Sequence, residues 1–189
     1  MKYLELTAKI KQNIFTLLDV IKTFPGEKEA TVKVQLHRFA KKGQTVQIKR
    51  GLYCFNSSTV DELELAGVLY QPSYVSMETA LNYYGLIPDI PLAVSSVTLT
   101  TTKHLKNSFG NFDYYKTKPS LFFGFTPIET PNNGVINMAD KEKALLDYLY
   151  LRKMKGLADS RLNTKILDLK KYKKYALSYP RRIQKIKIP

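Results

Sequence analysis

The chain of 189 residues has one cysteine, no tryptophan and only two histidines. A lone thiol, Cys54, cannot close an intramolecular disulfide, and it reads as a small apolar strand residue rather than a nucleophile. His37 and His104 lie far apart in sequence, so no metal-spaced Cys/His set is present. The phosphate-cradling GxGxxG and P-loop patterns and the zinc-binding HExxH are also missing. No enzyme activity, bound metal or cofactor is therefore expected. No apolar run approaches the roughly 18 residues that span a bilayer. The opening Met1-Lys2-Tyr3-Leu4-Glu5-Leu6 lacks the continuous apolar stretch of a secretory signal, so a cytoplasmic protein without a membrane partner is expected. Acids are scarce as well. There are 16 Asp and Glu against 30 Lys and Arg, a net charge of +14 that points to a polyanionic partner.

What is present is unevenly placed. Residues 1–55 hold nine Lys and two Arg against four acids, giving +7; residues 56–151 hold six Lys against ten acids, giving −4; residues 152–189 hold nine Lys and four Arg against two acids, giving +11. Basic ends flanking an acidic middle suggest two polyanion-facing surfaces rather than general solvation. A hydrophobic content of 44% is enough to build real cores.

In the first third, Leu4, Leu6, Ile10 and Ile14 suggest one helix. Thr16 can cap a second, with Leu17, Leu18, Ile21 and Phe24 at three- and four-residue spacing and Pro25-Gly26 as its stop. A third helix over residues 29–42 starts acidic and ends basic, as its dipole favours. On a helical wheel Val32, Leu36, Phe39 and Ala40 share one face, with Thr31, Val34, Arg38, Lys41 and Lys42 opposite and Gln35 at the flank. Arg38 can bond guanine bidentately, Gln35 can pair with adenine, Thr31 or Val34 can touch a thymine methyl, and Lys41 and Lys42 suit phosphate. Val46-Gln47-Ile48-Lys49-Arg50-Gly51-Leu52-Tyr53-Cys54-Phe55 then reads as a hairpin, with Gly51 in a turn needing positive φ and a cationic tip at Lys49 and Arg50. Helix, hairpin and exposed cationic tip form the pattern of a winged helix that binds double-stranded DNA. Its candidate contacts are Thr31, Val34, Gln35, Arg38, Lys41, Lys42, Gln47, Lys49 and Arg50.

Asn56-Ser57-Ser58-Thr59 is a polar link, and Thr59-Val60-Asp61-Glu62 has the form of a capping box opening the next helix. Ser76 can cap a helix that Gly85 stops. Strands are expected over residues 94–102, 112–117, 122–128 and 134–137, the last pair joined through Asn132-Asn133-Gly134. Asp140 can cap a helix with an apolar stripe of Ala144, Leu145, Tyr148, Leu149 and Leu151. Glu142 and Asp147 read as carboxylates on its solvent side. Tyr74, Tyr83 and Tyr84 could serve a partner surface, but aromatics at helical spacing suit a core better.

The order "KRGLYCF", "PSYVSMETALNYYGLIP", a β-rich stretch and "ADKEKALLDYLYL" resembles the AbiEi family of type IV antitoxins and related transcriptional regulators, over about residues 12–180. The resemblance implies an α+β protein, with a winged helix-turn-helix over residues 1–56 and a mixed α+β antitoxin domain with a small sheet and packed helices over 57–189. It also implies repression of a shared toxin-antitoxin operon in abortive infection. The functional partner would be a nucleotidyltransferase-fold toxin, countered without necessarily forming a stable complex, and the protein would be a monomer or weak dimer on DNA. It places no toxin-neutralising residue here. A stand-alone regulator whose second domain senses a ligand or dimerises fits the same residues.

In the tail, Lys170, Lys171, Lys173 and Lys174 interleave with Leu169, Tyr172 and Tyr175, and Arg181 and Arg182 follow Pro180. Two helical pieces broken near Pro180 are expected. If Leu169, Tyr172 and Ala176 pack inward, the lysines project as a second basic patch for phosphate, or for single-stranded RNA.

Overall fold

Helix α1 (Tyr3–Lys9) ends where the polar run Lys11-Gln12-Asn13 interrupts the apolar spacing. Ile14, expected on that helix, instead opens strand β1 (Ile14–Thr16) in this computed structural model, which describes residues 1–130, 134–157 and 161–188. Asn13 fixes the change of course: its amide donates to the Asn56 carbonyl (3.1 Å) and Thr59 Oγ1 (2.9 Å), and its Oδ1 accepts from Asn56 N (3.1 Å). Thr16 caps α2 (Leu17–Thr23), its hydroxyl accepting from Asp19 N (3.1 Å) while the Asp19 carboxylate accepts from Thr16 N (2.7 Å). Helix α3 (Glu29–Lys41) follows, then the hairpin of β2 (Val46–Lys49) and β3 (Leu52–Cys54). These strands form an antiparallel sheet in the order β1-β3-β2, with Phe15 opposite Tyr53 and Gln47 opposite Tyr53 on the other side. Leu6, Phe15, Val20, Val32, Leu36 and Phe39 meet in one core beside it.

The helix after the link, α4 (Glu62–Leu69), is capped by Asp61 rather than by Thr59. Asp61 Oδ1 accepts from Leu63 N (2.8 Å) and Glu64 N (3.0 Å), whereas Thr59 lies in a 3-10 turn and donates its hydroxyl to the Asn56 carbonyl (3.2 Å). The chain divides into two compact units, Met1–Leu65 with Glu129–Val135, and Ala66–Ile128 with Ile136–Pro189, so residues 57–65 group with the N-terminal elements.

The second unit is built on strands β4 (Ser73–Val75), β5 (Val94–Thr98), β6 (Lys103–Asn107), β7 (Gly110–Lys116), β8 (Phe125–Glu129) and β9 (Val135–Ala139), in the order β6-β7-β5-β4-β9-β8. β5 runs parallel to β7 and antiparallel to β4, while β4 runs parallel to β9. The threonine-rich stretch leaves the sheet after Thr98, whose hydroxyl donates to the Pro72 carbonyl (2.7 Å), so β5 is shorter than expected. The turn expected at Asn132-Asn133-Gly134 falls mostly outside the described residues. Helices α5 (Met77–Tyr83), α6 (Lys141–Leu151), α7 (Leu169–Ala176) and α8 (Arg181–Gln184) complete the unit, α5 and α7 both packing on α6. The fold is α+β, with two sheets and eight α-helices among the described residues, and none of those helices is long and apolar enough to cross a membrane.

Candidate nucleic-acid interface

Helix α3 is amphipathic because Val32, Leu36 and Phe39 recur at helical spacing, and all three are buried in the first core. The opposite face is left to solvent: Thr31, Val34, Arg38, Lys41 and Lys42 are exposed and Gln35 is half-buried. Val34 keeps 49% of its surface exposed on that face. Lys33 is tied to Glu29 one turn back. Among the described residues Arg38, Lys41, Lys42 and Arg50 make no ion pair, so their charge is available to a ligand.

The β2–β3 turn presents Lys49 and Arg50, both exposed, with Gln47 exposed on the strand leading to it. Gly51 has φ of +79°, where a side chain would be strained, and its carbonyl accepts from Leu17 N at 2.9 Å, which anchors the turn to the start of α2. On the neighbouring strand Cys54 is fully buried, and burial pushes its thiol above the usual range, so it is packing rather than reactive. His37 is exposed on the flank of α3.

The basic tail is helical, but it is not one outward patch. Lys171 Nζ turns back to the Asp140 carboxylate (2.8 Å), and Arg182 donates to the Tyr150 carbonyl (2.8 Å) with its guanidinium over the Tyr150 ring. Lys170, Lys173, Lys174 and Arg181 remain exposed. Tyr172 and Ala176 pack inward as expected; Leu169 does not, keeping half its surface in solvent. Missing from the expected patch are Lys185 and Lys187, signalled only by the basic-apolar alternation of the last residues.

Glu142 and Asp147 are not surface carboxylates. Both are buried, as is Lys143 between them. Glu142 Oε1 accepts from Asp168 N (2.8 Å), at the start of α7. Asp147 takes Lys143 and the Tyr179 hydroxyl (2.7 Å) on Oδ1, and the hydroxyls of Tyr74 and Ser76 (2.9 Å each) on Oδ2. Ser76, at the N-cap position of α5, thus gives its hydroxyl to Asp147 instead of capping. The Lys143 ammonium lies 5.2–5.3 Å from the ring centres of Tyr74, Phe123 and Tyr179. Burial pulls its pKa down against the opposing pull of Asp147, and burial with the neighbouring carboxylate pushes the Tyr74 and Tyr179 hydroxyls far up. With no solvent exposure on either charged partner, the cluster ties α5, α6 and the tail together. Tyr83 and Tyr84 stack edge to face away from it, Tyr83 exposed, so the core expected for the three tyrosines holds only for Tyr74.

Among the described residues no group of three or more His, Cys, Asp or Glu side chains is placed to hold a metal ion. No protein-family model matches this chain, and no curated protein is detectably similar to it.

Proposed function

We propose that the first unit is a winged helix-turn-helix that reads duplex DNA with α3 and grips phosphate with the β2–β3 turn. The observation that carries this reading is the division of α3: one face is buried by Val32, Leu36 and Phe39, while the other exposes Thr31, Val34, Arg38, Lys41 and Lys42 directly before a cationic hairpin tip. The helix and strand order, with β3 between β1 and β2, agrees with it. Arg38, Gln35, Val34 and Thr31 contact base edges; Lys41, Lys42, Gln47, Lys49 and Arg50 contact the backbone. Lys170, Lys174 and Arg181 offer phosphate a second contact.

By its resemblance to the AbiEi family, the protein is further proposed to act in the cytoplasm as a non-enzymatic antitoxin. It represses its own operon, as a monomer or weak dimer on the operator, and counters a nucleotidyltransferase-type toxin. Binding of the purified chain to the duplex upstream of its own gene tests the first part. Arg38→Ala is expected to relax preference at one base pair and cost about 1–3 kcal/mol on the preferred site. Arg50→Ala is expected to weaken all duplexes alike and flatten the log K against log salt slope by about 0.9. If neither substitution changes binding, α3 is not the reading surface. Growth rescue on co-expression with the adjacent gene tests the second part, and a neighbour that is not a nucleotidyltransferase would leave a stand-alone regulator.

A further inference from the structure

Residues 86–93 pass from α5 to β5 without regular structure, yet they are pinned. Asn82 Nδ2 donates to the carbonyls of Ile87 (3.3 Å) and Asp89 (3.1 Å), and Asn111 Nδ2 donates to that of Leu92 (3.2 Å). Pro88 and Pro91 restrict the backbone further. This fixed loop holds Ile90 84% and Leu92 95% exposed, with Asp89 beside them. A single exposed aliphatic residue needs no explanation, but two held in place on a proline-braced loop form a contact surface. Beneath the loop is a pocket of about 270 Å³ lined by Asp113 and by the ion pair of Glu78 with Arg152, so the free acid of this surface is Asp89 itself.

Elsewhere on the same unit, α7 and residues 184–188 bound a groove of about 500 Å³. Leu169, Tyr172, Ala176, Leu177 and Ile186 give it an apolar lining, Lys173, Lys185 and Lys187 line it with cations, and among the described residues no Asp or Glu does. Leu177 is 74% exposed. Phosphate would satisfy the lysines and leave the apolar lining in water. An apolar segment carrying a carboxylate satisfies the lining and the lysines together.

We propose that the loop carrying Asp89, Ile90 and Leu92 on one copy of this chain seats in the α7 groove of a second copy, with Asp89 meeting the lysines. The paired surfaces differ, so the contact is heterologous: it propagates from copy to copy or closes by mutual exchange. One loop buries well under the roughly 1,200 Å² of a stable interface, which makes the association weak. It is independent of DNA binding.

Sedimentation velocity on the full chain without nucleic acid, from about 10 to 500 µM, reads it directly. The weight-average sedimentation coefficient is expected to rise with concentration, and less so at high salt. Leu92→Asp and the double substitution Lys173→Glu with Lys185→Glu are each expected to remain monomeric. Mixed in equal amounts, they restore a one-to-one pair and nothing larger, since each supplies the half the other lacks. All of these positions are exposed, and matching thermal melts confirm the fold. A wild-type protein that stays monomeric, variants that associate like wild type, or a mixture that fails to pair would each overturn the proposal. Monomeric wild type with DNA affinity lost only in the lysine variant would assign the groove to phosphate instead.

Discussion

At Asp147 four donors converge on two carboxylate oxygens in a site without solvent exposure. Asp147→Asn keeps the shape, removes the charge opposite Lys143 and brings an NH₂ group among donors that need acceptors. Breaking a buried pair on one side costs about 3–5 kcal/mol. The expected reading is a lower urea midpoint with an unchanged m-value; an unaltered midpoint would mean that water already reaches the pair. The sequence conceals this site because Lys143 and Asp147 stand one turn apart, the spacing of an ordinary surface ion pair. What buries them comes from Tyr74 and Tyr179, far away along the chain. The exposed face of α3 was legible for the opposite reason: its burial pattern is set by local periodicity, and Thr31, Val34, Arg38, Lys41 and Lys42 all fall on the solvent side.

Among the elements, the turns and α7 carry the sharpest consequences. Gly51 and Gly124 both have positive φ, +79° and +71°, but a Cβ at Gly51 meets nothing within 4 Å, whereas one at Gly124 would lie 3.1 Å from the Tyr175 ring and 3.2 Å from the Lys143 side chain. Gly51→Ala is expected to cost about 1–2 kcal/mol of backbone strain, and Gly124→Ala measurably more; equal losses in chemical denaturation would count against the close packing around Lys143. On α7, Lys170→Gln with Lys174→Gln is expected to flatten the salt dependence of DNA binding by about 0.9 for each phosphate lost. Lys171→Gln is expected to leave that slope alone and lower the melting temperature, because Lys171 is held by Asp140, which also caps α6. A changed slope for Lys171→Gln would return it to the phosphate surface. The long elements were readable from spacing and caps, but β1 and β4 are three residues each, too short to show a period. β6 was hidden because Lys103-His104-Leu105-Lys106-Asn107 is polar, as suits a strand at the sheet's edge.

Across the whole molecule, the buried hydroxyls set how stability answers to alkali. Tyr74, Tyr114, Tyr172 and Tyr179 are all raised above the usual 10.0, first by burial, with Asp147 adding to it at Tyr74 and Tyr179. An acid whose folded value is raised holds its proton in the native state after the unfolded chain has lost it. Its stabilising contribution is therefore complete below pH 10 and declines as pH rises beyond. Lys143 runs the other way: its folded value is lowered, so its contribution grows as pH climbs toward 10.5. Four tyrosines outweigh one lysine, and the net expectation is a stability that falls above pH 10. Tyrosinate absorbance followed with far-ultraviolet circular dichroism separates the two populations. The tyrosines whose hydroxyls are raised by burial are expected to ionise only in the cooperative step that removes the helical signal, after the absorbance of any solvent-facing ones has changed. In Tyr179→Phe that loss is expected to be shallower by one proton, on a baseline already lowered because Lys143 and Asp147 have each lost a partner. Full ionisation with the helical signal intact would show that the Tyr74 and Tyr179 hydroxyls are open to solvent, and the cluster around Asp147 would then not be the closed interior that joins α5, α6 and the tail.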